Sequence, residues 1–150
     1  ASATRSEYMA LTNFNSNTLE LRGQLTYRKD DLYASVSHGW LDDKASNDRP
    51  GGNRHGMSTN LLARRNLWRD LSGEVSYTYH TWNSASAYAP GLIEQVRNQS
   101  TNVLRGTLAW PVFKNQSIQL EARLVRNKED ISIFQYNNRI LQLSWHVLGL

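Results

Sequence analysis

The side chains in this sequence that could do chemistry are charged residues set inside alternating stretches. They are Glu20, Arg22, Arg64, Glu74, Arg105, Glu121 and Arg123. Successive side chains of a β-strand point to opposite faces, so residues of one parity share a face. By parity these seven share the polar face of their strands. Arginine and glutamate there can pair with each other, or line a path for polar or anionic solutes.

Histidine chemistry is the other possibility, since the chain has four histidines and no cysteine. No two histidines have the close spacing of a metal-binding pair, so we predict no metal and no cofactor. His38 and His80, with Asp42 and Asp43, could meet at one rim as a hydrolytic set. A polar rim explains them equally well, and we therefore predict no enzymatic activity.

Alternating strands are the elements that must position the charged residues. In the last of them, Leu141, Leu143, Trp145 and Val147 have one parity, and Gln142, Ser144 and His146 have the other. This period of two is typical of a strand with one apolar and one polar face. Similar stretches occur at 19–27, 32–40, 57–67, 71–79, 103–110 and 118–124, and we interpret 7–14 as a less regular first strand. The sequence predicts an all-β, antiparallel, up-and-down fold of about eight strands in one domain, residues 1–150.

The connections between these stretches alternate in length. Short turns are predicted at 29–31, 68–70 and 113–116, and long polar loops at 42–56, 83–97 and 126–135. All short turns then lie at one end of the sheet and all long loops at the other. Outer-membrane barrels have this asymmetry, with short periplasmic turns and long extracellular loops.

Large aromatic residues of the apolar parity lie near the ends of the strands. Tyr27, Trp110 and Trp145 fall near the short turns, and Trp40 and Tyr79 fall near the long loops. Leucine, valine, alanine and glycine fill the positions between them. Aromatic rings at both ends of an aliphatic band are typical of the two interfaces of a membrane.

Composition restricts the alternatives. The net charge of +4 is small and spread along the chain, which argues against nucleic-acid binding. Mean hydropathy is −0.60, and no apolar run approaches the ~20 residues that a membrane-spanning helix needs. Half-apolar strands give such an average even in a membrane barrel. We predict a transmembrane β-barrel. The alternative is a soluble β-barrel or sandwich that turns the apolar face inward to bind an apolar ligand.

Two segments near the end of the chain carry a family resemblance. Residues 137–145 resemble the closing strand of Gram-negative outer-membrane barrels, which the barrel assembly machinery recognises. Residues 123–130, followed by 134–137, resemble the last hairpin of barrels joined to periplasmic tetratricopeptide repeats. Those barrels include porins for exopolysaccharide export and barrels for surface-protein export.

The resemblance implies a passive pore or export channel in the outer membrane of a Gram-negative bacterium, passing polar or anionic solutes or polysaccharide. Its expected partners are outer-membrane lipid and lipopolysaccharide, the barrel assembly machinery and periplasmic export components, with no nucleic acid. One alternative within the membrane class stays open. A barrel closed by eight strands has an interior filled by side chains. It would have a structural, anchoring or surface-binding role through its long loops.

Overall fold

The computed structural model of the chain describes residues 2–6, 15–45 and 49–147. Its strands are β1 Ser2–Ser6, β2 Ser16–Lys29, β3 Leu32–Ala45, β4 Arg54–Trp68, β5 Leu71–Ala89, β6 Ile93–Phe113, β7 Gln116–Glu129 and β8 Tyr136–Val147. A single 3₁₀ turn in these ranges, Ser132–Phe134, precedes β8. No helix in the described part of the chain is long and apolar enough to cross a membrane.

The eight strands form one antiparallel sheet in which each strand pairs with its neighbours in sequence, from β1 to β8. The predicted all-β, up-and-down fold is therefore confirmed. The sheet is open, because β1 and β8 form its two edges and do not pair with each other. β1 covers only the long-loop half of β2, from the pair Ser2–Glu20 to the pair Ser6–Ser16.

The three predicted short turns are confirmed as two-residue connections at 30–31, 69–70 and 114–115. Two of them place a residue with a side chain in the left-handed region, Asp30 and Arg69, each with φ of 50°. Tight hairpins favour positive φ because the turn then follows the right-handed twist of the two strands. These turns fix the pairing of β2 with β3 and of β4 with β5.

The predicted long loops are wrong in extent. β5 continues to Ala89 and β6 begins at Ile93, so most of the predicted loop 83–97 is a paired hairpin arm. β3, β4 and β7 likewise extend into the predicted loops. Alternation reveals a strand only where one face is apolar, whereas backbone pairing continues where both faces are polar. The predicted first strand, 7–14, lies outside the described residues.

The register gives the sheet two continuous faces. Residues directly opposite each other in an antiparallel pair share a face. One row on the apolar face comprises Gly23, His38, Thr59, Tyr79, Asn102, Arg126 and Asn137. Rows of the other parity form the polar face. Every strand from β2 to β8 therefore keeps the assignment that its alternation predicts.

Burial runs opposite to the usual pattern of a water-soluble protein. In the described ranges three hydrophobic side chains are buried, against seven polar or charged ones. On the apolar face large side chains stay exposed, with Leu143 at 72% and Trp145 at 68%. The buried groups on strands belong to the polar face, so the core of this sheet is polar.

The aliphatic band crosses the strands on a slant. On β2 the band covers 19–27, with Gly23 at its midpoint. Successive cross-strand pairs place Gly23 in the same row of the sheet as Asn137 on β8. On β8 the band covers 141–147, so its midpoint, Ser144, lies seven residues beyond Asn137. Seven residues of ~3.3 Å across six strand spacings of ~4.8 Å give a tilt of roughly 39°. Strands close into barrels with tilts of about 35–45°.

Candidate functional site

The structure places all seven predicted charged residues on the polar face. Two lie on β2, one each on β4, β5 and β6, and two on β7. They are Glu20, Arg22, Arg64, Glu74, Arg105, Glu121 and Arg123. Their parity is therefore as predicted from the sequence, while their role in lining a lumen stays a prediction.

Two of the glutamates are paired with arginine. Arg22 donates from Nε to Oε1 of Glu20 at 2.7 Å, along the same strand. Arg105 donates from Nη2 to Oε2 of Glu121 at 2.6 Å, across the β6–β7 pair. Charge-assisted contacts of this kind are the stronger hydrogen bonds in proteins. They neutralise Glu20 and Glu121, whereas Glu74 forms no ion pair within the described chain.

Positive charge remains in excess at the short-turn half of the face. Arg64 lies opposite Glu74, but its guanidinium is 5.9 Å from the ring centroid of Tyr33, a cation–π contact. Arg123 lies opposite Arg105, a like charge. Within the described ranges Arg64 and Arg123 form no ion pair, and neither does Arg28 on β2. Sequence reasoning missed Arg28 because it adjoins a turn, although its parity matches that of Arg22.

A buried carboxylate holds the first loop at the long-loop end. Asp43 is 1% exposed and accepts hydrogen bonds at Oδ2 from Nη1 of Arg49 at 2.8 Å and from Nη2 of Arg54 at 2.7 Å. Thr18 donates to its other oxygen at 3.0 Å. Arg49 also donates to the carbonyl of Gly52, at 2.7 Å from Nη2. We call Asp43, Arg49 and Arg54 the first-loop cluster.

A second buried carboxylate holds the last loop. Glu129 accepts from Nε and Nη2 of Arg97 at 2.7 and 2.8 Å, a two-pronged pair across β6 and β7. The Arg97 guanidinium also lies 4.5 Å from the ring centroid of Phe134. Asn127 donates to the Phe134 carbonyl at 2.9 Å. These contacts hold the segment that leads into β8 against the long-loop ends of β6 and β7.

The charge states of these clusters follow from their contacts. Burial by itself raises the pKa of Asp43. Hydrogen bonds from Arg54, Ser16 and Thr18, together with the charge of Arg49, outweigh burial and hold that pKa below its ordinary value. Hydrogen bonds to Glu129 raise the pKa of Arg97. Asp43 and Arg97 both lie beyond the apolar band, and each pKa shift favours the charged form of its group.

The histidine and aspartate residues considered for hydrolysis are not assembled. His38 lies on the apolar face, with Nδ1 2.9 Å from the hydroxyl of Thr59, whereas His80 lies on the polar face. Asp42 and Asp43 also lie on opposite faces, and the carboxylate of Asp43 forms ion pairs with Arg49 and Arg54. In the described residues no group of three or more His, Cys, Asp or Glu could hold a metal ion.

The five predicted interface aromatics all lie on the apolar face, as the register requires. Four of them are exposed, namely Tyr27, Trp40, Trp110 and Trp145, and Tyr79 is half-buried. None is enclosed in a core. Their contact with a membrane interface stays a prediction.

We expect Asp43→Asn to lower the free energy of unfolding by about 3 kcal/mol, because removing one partner leaves buried arginine charge without compensation. The measurement is urea unfolding in detergent micelles. Asp42→Asn is the matched control. It lies one residue away on the opposite face and forms no ion pair in the described chain, so its effect should stay within about 0.5 kcal/mol. Equal losses in both variants would contradict the assignment.

The lowered pKa of Asp43 also predicts a pH dependence. A carboxylate whose pKa falls on folding adds stability that is complete above its unfolded pKa of about 3.9. That stability disappears as the pH falls through the lower pKa of the folded state. Unfolding midpoints measured from neutral pH down to strongly acidic pH should fall more steeply for the unaltered chain than for Asp43→Asn. Parallel curves would refute this.

No family model, curated protein or solved structure matches the chain. The resemblance to the barrels of tetratricopeptide-linked export porins stays a prediction from the sequence.

Proposed function

We propose that this chain forms the membrane-spanning wall of an outer-membrane β-barrel. Its polar face would line a passive pore or export path for polar or anionic solutes, including polysaccharide. One observation carries the proposal: large side chains on the apolar face of the sheet are exposed, whereas the buried side chains on its strands all belong to the polar face. Water-soluble monomers rarely expose contiguous apolar patches above a few hundred Å². Contact with lipid removes the free-energy cost of exposing apolar surface to water, because the hydrocarbon core is itself apolar.

The slant of the aliphatic band is the pattern expected when tilted strands cross a planar apolar layer such as a membrane. A flat slab crosses tilted strands at progressively later residues, and the band moves seven residues between β2 and β8. The nine residues 19–27 of β2, at roughly 39°, span roughly 23 Å along the slab normal. The apolar belt of membrane barrels is about 25 Å tall.

The open edges favour a barrel with more strands than eight. Residues 21–29 of β2 have no strand on their outer side within the described ranges, since β1 reaches only to Glu20. Backbone groups in hydrocarbon must be paired, so this edge needs a further strand segment. Wider barrels keep an aqueous interior. The free charges of Arg28, Arg64 and Arg123 outnumber the one free carboxylate of Glu74 and would then give that interior a preference for anions.

A closed eight-stranded barrel is the second candidate. The pairs Arg22–Glu20 and Arg105–Glu121 favour it, because such pairs can fill a narrow interior. That barrel would conduct no ions, and its work would lie in the long loops and in the β5–β6 hairpin. In either case we propose an outer-membrane location, assembly by the barrel assembly machinery and contact with lipopolysaccharide. Periplasmic export components are partners of the first candidate.

Conductance in planar bilayers tests the pore. We expect stable channels whose reversal potential in a salt gradient indicates anion preference. Replacing Arg64 and Arg123 by glutamate changes the charge of the polar face by four units and should shift that preference to cations. Lys44→Glu, on the opposite face, should leave the reversal potential unchanged. Absence of conductance from correctly folded protein would favour the closed barrel.

Two adjacent leucines on β4 test which face meets lipid. Leu61 lies on the apolar face and Leu62 on the polar face. In a bilayer, arginine at Leu61 should cost about 2–4 kcal/mol of folding free energy, the range for a lipid-facing midplane position, and arginine at Leu62 much less. Folding titrations into lipid vesicles measure both. If the apolar face met water instead, arginine at the exposed Leu61 would cost less folding free energy than arginine at the half-buried Leu62. That result would contradict the membrane assignment.

A further inference from the structure

The apolar face changes character at the long-loop end of β6, β7 and β8. The aliphatic band there ends with Leu104 and Leu124. On the same face, immediately beyond it, stand Arg126 and Lys128 on β7 and Arg139 on β8. We call these three residues the outward cationic patch. It faces away from the charged residues of the polar face described above.

The register brings the three cations close together. Arg126 lies opposite Asn137 and Leu124 lies opposite Arg139, so the two arginines are diagonal neighbours. Diagonal neighbours in an antiparallel pair are about 7–8 Å apart. Lys128 follows Arg126 by two positions on the same face, roughly 7 Å further along β7. Side chains of this length can converge on a single phosphate group.

The charges of the patch are uncompensated. All three side chains are exposed, and none makes an ion pair or hydrogen bond with the described part of the chain. The nearest acid on this face, Asp130, accepts a hydrogen bond from Asn98 at 2.7 Å. Glu129 points to the polar face and binds Arg97. The patch therefore carries three positive charges that no ion pair in the described chain neutralises, and the carboxylate of Asp130, two positions beyond Lys128, is the nearest negative charge on this face.

A groove of about 390 Å³ leads from the two arginines onto the apolar band. Its apolar walls include Tyr77, Leu104 and Leu124, and its polar end includes Asn102 and Asn137. The Tyr77 hydroxyl donates to Oδ1 of Asn102 at 2.6 Å, and the amide nitrogen of Asn102 makes no hydrogen bond within the described residues. A cationic end joined to an apolar floor complements a phosphate joined to acyl chains.

The patch is local and not a belt around the sheet. Just beyond the band on β3 stand Asp42 and Lys44, of opposite sign, and on β5 stand Thr81 and Asn83, which are neutral. A general attraction to a charged membrane surface would not need the concentration on β7 and β8. The combination of groove and charge there is therefore what points to a bound molecule.

We propose that this groove binds a phosphate-bearing lipid of the membrane. Its phosphate would lie between Arg126 and Arg139, within reach of Lys128, and an acyl chain would lie along Leu104 and Leu124. The proposal rests on the proposed function, because only a membrane-embedded sheet presents this face to lipid. The long-loop end assigns the lipid to the outer leaflet. Free phosphate or a phosphorylated glycan would leave the apolar walls unused.

Equilibrium binding of lipid A by protein extracted in detergent tests the proposal. We expect the double variant Arg126→Gln, Arg139→Gln to bind bisphosphorylated lipid A at least about tenfold more weakly, with a change in affinity that shrinks at high salt. Lys44→Gln, the control on the same face of β3, should bind like the unaltered protein. Dephosphorylated lipid A should bind the unaltered protein no better than bisphosphorylated lipid A binds the double variant.

Three outcomes would overturn the proposal. These are undiminished binding by the correctly folded double variant, equal binding of phosphorylated and dephosphorylated lipid A, and full displacement of the lipid by inorganic phosphate at moderate concentration. Conductance of the same preparations keeps the two proposals apart. Loss of lipid binding by the double variant with unchanged conductance supports the lipid-binding groove. Lipid binding by an unaltered protein that does not conduct would contradict the pore but not the lipid-binding groove.

Discussion

Strand register is the constraint on which the rest of this structure depends. Because side chains alternate, a slip of one residue in any pairing would exchange the two faces of every later strand. The pairs Leu104–Leu124 and Arg105–Arg123 are adjacent in the β6–β7 ladder and belong to opposite faces. Such a slip would carry a guanidinium into the apolar band and a leucine among the charges. Tight two-residue turns at one end of the sheet therefore do more than connect strands, since they hold each parity in place.

A sheet with this arrangement cannot be stabilised by a hydrophobic core of its own. Its buried groups are instead polar, and the two best enclosed carboxylates, Asp43 and Glu129, each bind arginine in short hydrogen bonds. A buried carboxylate stabilises a fold only when its charge is compensated, and guanidinium groups meet that condition for both Asp43 and Glu129. They also lie at the long-loop end, where connections are longest and turn geometry gives least help. Charge compensation there replaces the role that tight turns have at the other end.

Alternation alone predicted the faces, the antiparallel order and the parity of residues such as Glu121 and Trp145, because each is a local property of a strand. It failed where the pattern lost its apolar half. The long-loop ends of β5 and β6 were assigned to a loop, although their backbones pair as far as Ala89 and Ile93. The first-loop cluster was also missed. Arg49 reaches Asp43 only because the chain turns back through Gly52, a path that no periodicity encodes. Which arginines find partners is a tertiary property, as the contrast between Arg105 and Arg123 demonstrates.

Strand β7 illustrates how one strand can place charge on both faces of the sheet. Arg123 and Arg126 are three positions apart and therefore face opposite ways, one among the glutamates of the polar face and the other above the aliphatic band. Charge on the polar face has carboxylates nearby, so part of it is neutralised within the sheet. The cationic charge on the apolar face of β7 and β8 forms no ion pair in the described chain, and on the proposed function a strand that carried it deeper would bear the cost of a cation in hydrocarbon. Its confinement to the end of the band follows from that cost. On the proposed function, the parity of a single residue thus decides whether its charge acts on a solute or on a lipid.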